Sequence, residues 1–461
     1  MGYFRSVNLS KSSDTICALS TAQGMGAIAL IRMSGPDSVE IAQRVFSGKL
    51  FGAASHTALH GWIMDGGNRL DEVVLTLFRG PRSFTGEDTV EIACHGSVYI
   101  QQRILQLLME QGAVMARAGE FTMRAYLNGQ MDLSQAEAVG DLIASESAAA
   151  HKQAIHQMRG GFSKEIRTLR ERLIHFASMI ELELDFAEED VEFANRDELR
   201  NLLEEIRQIV VRLEDSFALG NAIRHGVPVA ILGAPNMGKS TLLNALLNED
   251  RAIVSEIPGT TRDTIEDSIV IEGIRFRFID TAGLRHTSDE IEKLGIERSY
   301  AKAKEAALVL YVFDISTTSY EDLHAQLTDL RNRAGEGVKI IPVGNKVDKG
   351  SKDGYADDMV VEISAKSGLG MEDLRKRLLE ESGSQVMQRS ETIVTNARHH
   401  RALSQARESL DSALSGLNSG TTGDFLMVDI RRALYHLGEI TGQIGSDDLL
   451  NHIFSTFCIG K

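Results

Sequence analysis

The chain has 461 residues with 49 Lys+Arg against 65 Asp+Glu, a formal net charge of −16, 43% hydrophobic and 25% charged residues. At about 150 residues per domain this length predicts about two to four domains. No window approaches the ~18 uninterrupted apolar residues of a membrane-spanning helix, residues 1–12 lack the apolar core of a secretory signal, and the three cysteines (Cys17, Cys94, Cys458) form no CxxC spacing, which excludes a disulfide framework and a Cys-rich zinc site. The expectation is a soluble, cytoplasmic, multidomain protein.

Charge is unevenly spread. Residues 1–130 carry 11 basic and 11 acidic side chains, 131–225 carry 11 against 19, 226–387 carry 20 against 27, and 388–461 carry 7 against 8. No segment is a basic stripe, so the footprint of a stand-alone high-affinity nucleic-acid binder is missing. Any RNA contact must use a local patch or one shared with a partner.

In chain order, residues 1–125 read as α+β: β-rich runs at 15–19, 27–33, 72–78 and 89–93 alternate with Gly- and Pro-containing turns and a helical stretch at 38–46. From Leu133 to about Gly220 apolar residues recur at helical spacing, as in Leu169, Leu173, Phe176 and Ile180, with an interruption at Gly160-Gly161. Strand–helix alternation runs from Val227 to about Glu381. The remainder from Asn396 is helical, with a Gly/Ser/Thr-rich break at 415–423. The simplest account is an α/β domain inserted into one helical domain. Separate small bundles are the alternative.

Residues 233–240, Gly233-Ala-Pro-Asn236-Met237-Gly238-Lys239-Ser240, form a complete GxxxxGK[ST] loop between an apolar run at 227–232 and a helical stretch beginning at Thr241. Loop N–H groups cradle phosphates, Lys239 neutralises them, and Ser240 offers an oxygen to magnesium. Asp280-Thr281-Ala282-Gly283 ends a second apolar run and places a carboxylate beside the metal. Asn345-Lys346-Val347-Asp348 follows a third: Asp348 accepts from the guanine N1 and N2 donors, which adenine lacks, so it selects GTP. Ser364-Ala365-Lys366 fits the loop that caps the base. Gly259-Thr260-Thr261-Arg262-Asp263 lies between as a switch-I candidate, whose Thr261 would complete the magnesium shell. These five elements in register define a G domain. Leu284 stands where Ras-type enzymes carry a water-orienting glutamine, so a polar group must come from elsewhere. Arg285, His286, Asp289, Glu290 and Glu292 are all candidates.

The chain closes with Cys458-Ile459-Gly460-Lys461, a poor prenylation box because Gly460 is not aliphatic and no polybasic run precedes it. This ending, the G domain set between helical segments, and three N-terminal stretches (Ala29 to Gly35; Ser83-Phe-Thr-Gly-Glu87-Asp88; Gly119-Glu-Phe-Thr-Met-Arg124) closely resemble the MnmE/TrmE family of tRNA modification GTPases over the whole chain.

The resemblance implies a multidomain fold of α+β, all-α and α/β parts. Residues 1–127 would be an N-terminal tetrahydrofolate-binding and dimerisation domain, 128–222 and 388–461 a helical domain, and 223–387 the inserted Ras-like P-loop G domain. It implies a homodimer and an FAD-dependent partner, the MnmG protein. Together they would add an aminomethyl or carboxymethylaminomethyl group to C5 of the wobble uridine of certain tRNAs, with 5-formyl- or methylene-tetrahydrofolate as one-carbon carrier. It implies potassium-activated GTP hydrolysis, with Asn236, Ser255, Ile257 and Thr260 around the potassium ion and nucleotide contacts that include Glu256 and Pro258. Glu292 would orient the attacking water. Arg32, Glu91 and Lys461 would contact folate, Arg32 through a carboxylate and Glu91 through the pterin N–H groups. Gln130 replaces a family lysine at that site, keeping a hydrogen bond but not the charge. Thr21-Ala-Gln-Gly24 lacks the family's usual proline. Cys458 would point toward the folate, in a chemical or a structural role. His95 and the adjacent His399-His400 have no partner ligands in the sequence, so no structural zinc is expected. The competing reading is a GTP-driven switch whose end domains bind partners and do no chemistry. A membrane ion-transporter GTPase is excluded by the missing spans.

Overall fold

The structure is a computed structural model that describes residues 14–185, 196–250, 267–279, 304–334, 338–350, 360–382, 392–444, 450 and 453–460. The chain divides into two compact units, one of Met1–Gly140, Gln157–Ser178 and Leu434–Lys461, the other of Asp141–His156 and Met179–Ala433. Together they combine α+β, helical and α/β parts.

In the first unit β1 (Ile16–Leu19), β2 (Ile28–Ser34), β3 (Thr57–Asp65), β4 (Asn68–Phe78), β5 (Thr89–His95) and β6 (Val114–Met115) form one sheet in the order β3-β4-β5-β2-β1-β6. All neighbours are antiparallel except β1 and β6. Alternation decides which face each side chain takes. Ala29, Ile31 and Met33 of β2 and Val90, Ile92 and Cys94 of β5 join Val39, Ala42 and Val45 of the helix Ser38–Val45 and Ile104 and Leu108 of the helix Val98–Glu110 in the main core. The opposite face carries a smaller cluster of Ile16, Ala18, Ala116 and Phe121, with Phe84 against it. Phe121 belongs to the helix Glu120–Leu127. Leu133, Ala136, Leu450 and Phe454 form a helical cluster in the same unit. The edge strand β3 was not anticipated from the sequence: its half-exposed pattern and central Gly61 blur the alternation.

In the second unit β7 (Val227–Leu232), β8 (Asp267–Ile271), β9 (Ile274–Phe278), β10 (Leu308–Asp314), β11 (Lys339–Asn345) and β12 (Val361–Glu362) are ordered β12-β11-β10-β7-β9-β8. Only β8 runs antiparallel to its neighbour. These strands are nearly continuous apolar runs, as strands covered on both faces must be. Val229 and Ile231 face Leu242 and Leu246 of the helix Lys239–Asp250 and Leu374 and Leu378 of the helix Met371–Glu381. Ala230, Leu232 and Val309 pack on the other side with Leu330 and Ala334 of the helix Tyr320–Ala334.

The helices Arg196–Asp215 and Ala397–Asn418 also belong to this unit, each burying a stripe of leucines. Arg407 bonds Glu214 at 2.7 Å and Arg207 pairs with Asp411 between them. Gly220 lies so close to the Val394 carbonyl that a Cβ there would sit 2.0 Å from its oxygen. The break foreseen at 415–423 begins later, because the helix continues to Asn418.

Candidate functional site

In a parallel sheet the loops at the carboxyl ends of the strands converge, and ligands bind there. Residues 233–238 follow β7, Asp314 ends β10, Asn345 ends β11, and Ser364 follows β12. Gly233 (φ +145°) and Gly238 (φ +92°) hold backbone conformations that L side chains rarely adopt. A Cβ on Gly233 would stand 2.0 Å from the Val312 carbonyl oxygen, and one on Gly238 2.3 Å from Asn345 Nδ2. This backbone fits a phosphate cradle that has no room for side chains. Asn236 also has positive φ, at 61°. Lys239 Nζ donates to the carbonyls of Gly233 and Ala234, both at 2.8 Å, so its ammonium lies over the loop. Ser240 and Thr241 open the following helix.

Asn345 is buried and uses both ends of its amide. Nδ2 donates to the Met237 carbonyl at 2.8 Å, and Oδ1 accepts from the N–H groups of Lys346 (2.8 Å) and Ala365 (3.0 Å). Lys346, in the left-handed region at φ 69°, donates Nζ to the Asn236 carbonyl at 2.9 Å and to Asp314 Oδ2 at 2.7 Å. Burial alone would raise the Asp314 carboxyl, but the Lys346 ammonium and the Ser316 hydroxyl and N–H bring it below the usual carboxylate range. Asp348 is exposed and accepts from the Ser364 hydroxyl at 2.6 Å, which holds its carboxyl below the usual range. It is therefore a fixed anion, suited to accept from two adjacent N–H donors. Ala365 is buried and Lys366 exposed beside it. Asp314 was missed in the sequence reading, although an acid closing a buried strand at the carboxyl edge was the available signal.

The sequence-derived residues 255–261, 280–283, Glu292 and Lys461, and with them most of the expected magnesium and potassium shells, lie outside the described residues. Of those shells Asn236 and Ser240 are described.

The second set lies in the first unit. Arg32 and Glu91 are register partners in the β2–β5 ladder, both turned to the face opposite the main core. They bind each other: Arg32 Nη2 and Nε reach Glu91 Oε1 at 2.7 and 2.9 Å, with each side chain about one-fifth exposed. The guanidinium carbon stands 5.5 Å from the Phe84 ring centroid and 5.8 Å from that of Phe121, within cation–π range. The arrangement is a partly open cation–anion pair with the half-buried Phe84 beside it and the fully buried Phe121 beneath it, and it offers a ligand one charged donor and one charged acceptor. Gln130 lies beside Gly86, whose Cβ would meet Gln130 Nε2 at 2.9 Å. The closing segment is pinned to the same unit: the Gly119 N–H donates to the Cys458 carbonyl at 3.3 Å, Ile459 bridges Ala118, and Ser20 Oγ donates to the Gly460 carbonyl at 3.1 Å. Cys458 itself is exposed. Phe84 and Phe121 had no role in the sequence reading, because their approach to Arg32 depends on how the sheet and the helix Glu120–Leu127 come together.

His95 bonds Asp71 at 2.7 Å and His400 stacks on Phe217. Among the described residues no group of three or more His, Cys, Asp or Glu has metal-holding geometry, and no helix is long and apolar enough to cross a membrane.

Comparison with known proteins gives two family matches: the MnmE helical domain over residues 133–458 and the GTP-binding protein TrmE N-terminus over residues 15–130. A protein of Cytophaga hutchinsonii named tRNA modification GTPase MnmE is 54% identical, covering 97% of this chain and 98% of its own. Proteins of the same name from Christiangramia forsetii and Flavobacterium psychrophilum are 51% and 52% identical, covering 98% and 97% of this chain and 100% and 99% of their own.

Proposed function

The chain belongs to the MnmE family of tRNA modification GTPases, and from that premise we propose that it hydrolyses GTP to drive one-carbon modification of C5 of the wobble uridine in certain tRNAs. The observation that carries the GTPase half is Asn345, whose single amide joins the phosphate loop at Met237 to the base-capping loop at Ala365. Loops tied in this way present phosphate and guanine contacts at one fixed spacing.

In the hydrolytic step water attacks the γ-phosphorus, the bond to the β–γ bridging oxygen breaks, and GDP and phosphate leave. Lys239 and the loop N–H groups stabilise the charge that develops on the phosphates. Asp348, held ionised by Ser364, accepts from guanine. Ser240, Thr261 and Asp280 would hold magnesium, and Asn236, with backbone oxygens near Ser255, Ile257 and Thr260, would hold potassium. These cations supply positive charge where phosphate charge builds up. Glu292 orients the water that Leu284 cannot.

For the one-carbon half, the partly open Arg32–Glu91 pair with Phe84 beside it supports a tetrahydrofolate site in which Arg32 takes the carboxylate and Glu91 the pterin N–H groups. Lys461 and Gln130 add contacts, and Cys458 lies on a segment anchored to the same unit. The reading includes a homodimer, an FAD-dependent MnmG partner and tRNA as substrate. Within the second unit the pairing of Arg407 with Glu214 supports reading the helices Arg196–Asp215 and Ala397–Asn418, on either side of the G domain in sequence, as one helical body.

The test uses the purified full-length protein. GTP hydrolysis is measured in potassium and in sodium chloride at equal ionic strength, and the same preparation is titrated with 5-formyltetrahydrofolate. Faster turnover in potassium and saturable folate binding support the reading. Equal rates remove the potassium step, and absence of binding removes the folate site.

A further inference from the structure

We propose that Arg124, with Glu87 and Ser34, is a positioning residue for the site at Arg32: a clamp, buried at Arg124 and Ser34, that fixes Phe84 and Phe121 against that guanidinium. The inference rests on the tetrahydrofolate reading of the site.

Three elements meet there, and each contributes one residue of the Arg32–Phe84–Phe121 group and one clamp residue. β2 supplies Arg32 and, two residues on and so on the same face, Ser34. The helix Glu120–Leu127 supplies Phe121 and, three residues on, Arg124. The connection between β4 and β5 supplies Phe84 and, three residues on, Glu87. The clamp residues bind one another. Ser34 Oγ donates to Glu87 Oε2 at 2.7 Å, and Arg124 Nη1 lies 3.3 Å from the same oxygen. Arg124 also donates to Glu120 Oε1 at 3.1 Å and to the Asp14 carbonyl at 2.8 Å. Ser34 further bonds the Thr85 hydroxyl at 2.7 Å, and Asn128 Nδ2 donates to the Thr85 carbonyl at 2.8 Å.

Burial decides the role. The Arg124 side chain is 5% exposed and Ser34 is fully buried, against 20% for Arg32 and 21% for Glu87, so a ligand reaching Arg32 can meet Glu87 but not Arg124 or Ser34, and Ser34→Ala is the variant free of direct ligand contact. A buried ionic cluster is weak evidence for stability, because apolar residues of similar volume often serve as well. Directional bonds do what apolar packing does not: they set where Phe84 and Phe121 stand relative to Arg32. Phe121 already packs with Ile16, Ala18 and Ala116, so the unit has an apolar seam here without the clamp.

The experiment is calorimetric titration of the full-length protein with 5-formyltetrahydrofolate, alongside thermal unfolding. Arg124→Ala takes the cation from Glu87 and leaves the buried Glu120 with Arg117 at 3.5 Å, which risks misfolding, so the informative variants are Ser34→Ala, Glu87→Gln and Arg124→Lys. Ile63→Val, in the buried core on the edge strand β3, serves as a mildly destabilised control. The expected result is a roughly tenfold rise in Kd for Ser34→Ala and Glu87→Gln, a smaller rise for Arg124→Lys, which keeps a charged donor, and an unchanged Kd for Ile63→Val. Wild-type Kd in Ser34→Ala and Glu87→Gln, with binding intact in the parent, overturns the inference and leaves the folate reading standing. No binding by the parent protein overturns the folate reading and the inference with it.

Discussion

The side-chain amide of Asn345 donates to the main-chain carbonyl of Met237 at 2.8 Å, joining two loops that lie 108 residues apart in the chain. Replacing Asn345 by Ala removes the bonds to the Met237 carbonyl and to the Lys346 and Ala365 N–H groups, and loosening the two loops in this way is expected to cost bound nucleotide about 1–3 kcal/mol. GTP-analogue affinity is therefore expected to fall by about one to two orders of magnitude. Fluorescent-nucleotide titration of Asn345→Ala checks this, and an unchanged Kd refutes the coupling.

Asp348 is expected to set base choice. Its carboxyl lies below the usual carboxylate range because the Ser364 hydroxyl bonds it, which favours the ionised form. The acceptor therefore survives into mildly acidic solution, and GTP affinity should not decline with its titration between neutral pH and the ordinary carboxylate range. Asp348→Asn turns one acceptor into a donor. That suits xanthine, which carries a carbonyl where guanine carries its amino group, so the GTP-to-xanthosine-triphosphate affinity ratio should fall on the order of a hundredfold or more. Competition titration reads the ratio.

The three thiols should separate cleanly. Burial pushes Cys17 up to about 11, and burial with the charge of Asp71 pushes Cys94 up to about 11, whereas Cys458 is exposed. A thiol reagent at pH 8 should label one cysteine in the native protein and three after denaturation, counted by mass. Both buried thiols have folded pKa values above the ordinary 9.0. The stability they contribute is fully present below that value and is lost as pH rises toward about 11, so denaturant midpoints of the N-terminal unit should fall across that window.

Gly460 tests the anchored ending. Its φ is +95° and an added Cβ would lie 2.2 Å from the Leu19 carbonyl. Gly460→Ala is expected to dislodge the Cys458 segment and lower tRNA modification severalfold while leaving GTP hydrolysis unchanged. Nucleoside analysis and a phosphate-release assay on the same variant check both halves.

The legible parts of the molecule were those whose physics is local. The loop at 233–240 sits after β7 and opens a helix because glycine spacing and apolar runs encode backbone conformation directly. The helical interruption at Gly160, with φ +80°, was legible for the same reason. What stayed hidden depends on distant juxtaposition. Asp314 acquires its role only when Lys346, 32 residues later, returns to it. Ser34, Glu87 and Arg124 look like a strand end, a turn and a helix-face charge until the sheet brings them together. Arg32 and Glu91 stood out only through the family resemblance, and their mutual ion pair follows from the β2–β5 register, which composition does not reveal.

The most direct test is nucleoside analysis of bulk tRNA from cells lacking this gene, with and without the wild-type gene restored. The account predicts that C5-modified wobble uridine disappears in the deletion and returns on complementation. Unchanged modified uridine in the deletion would contradict it.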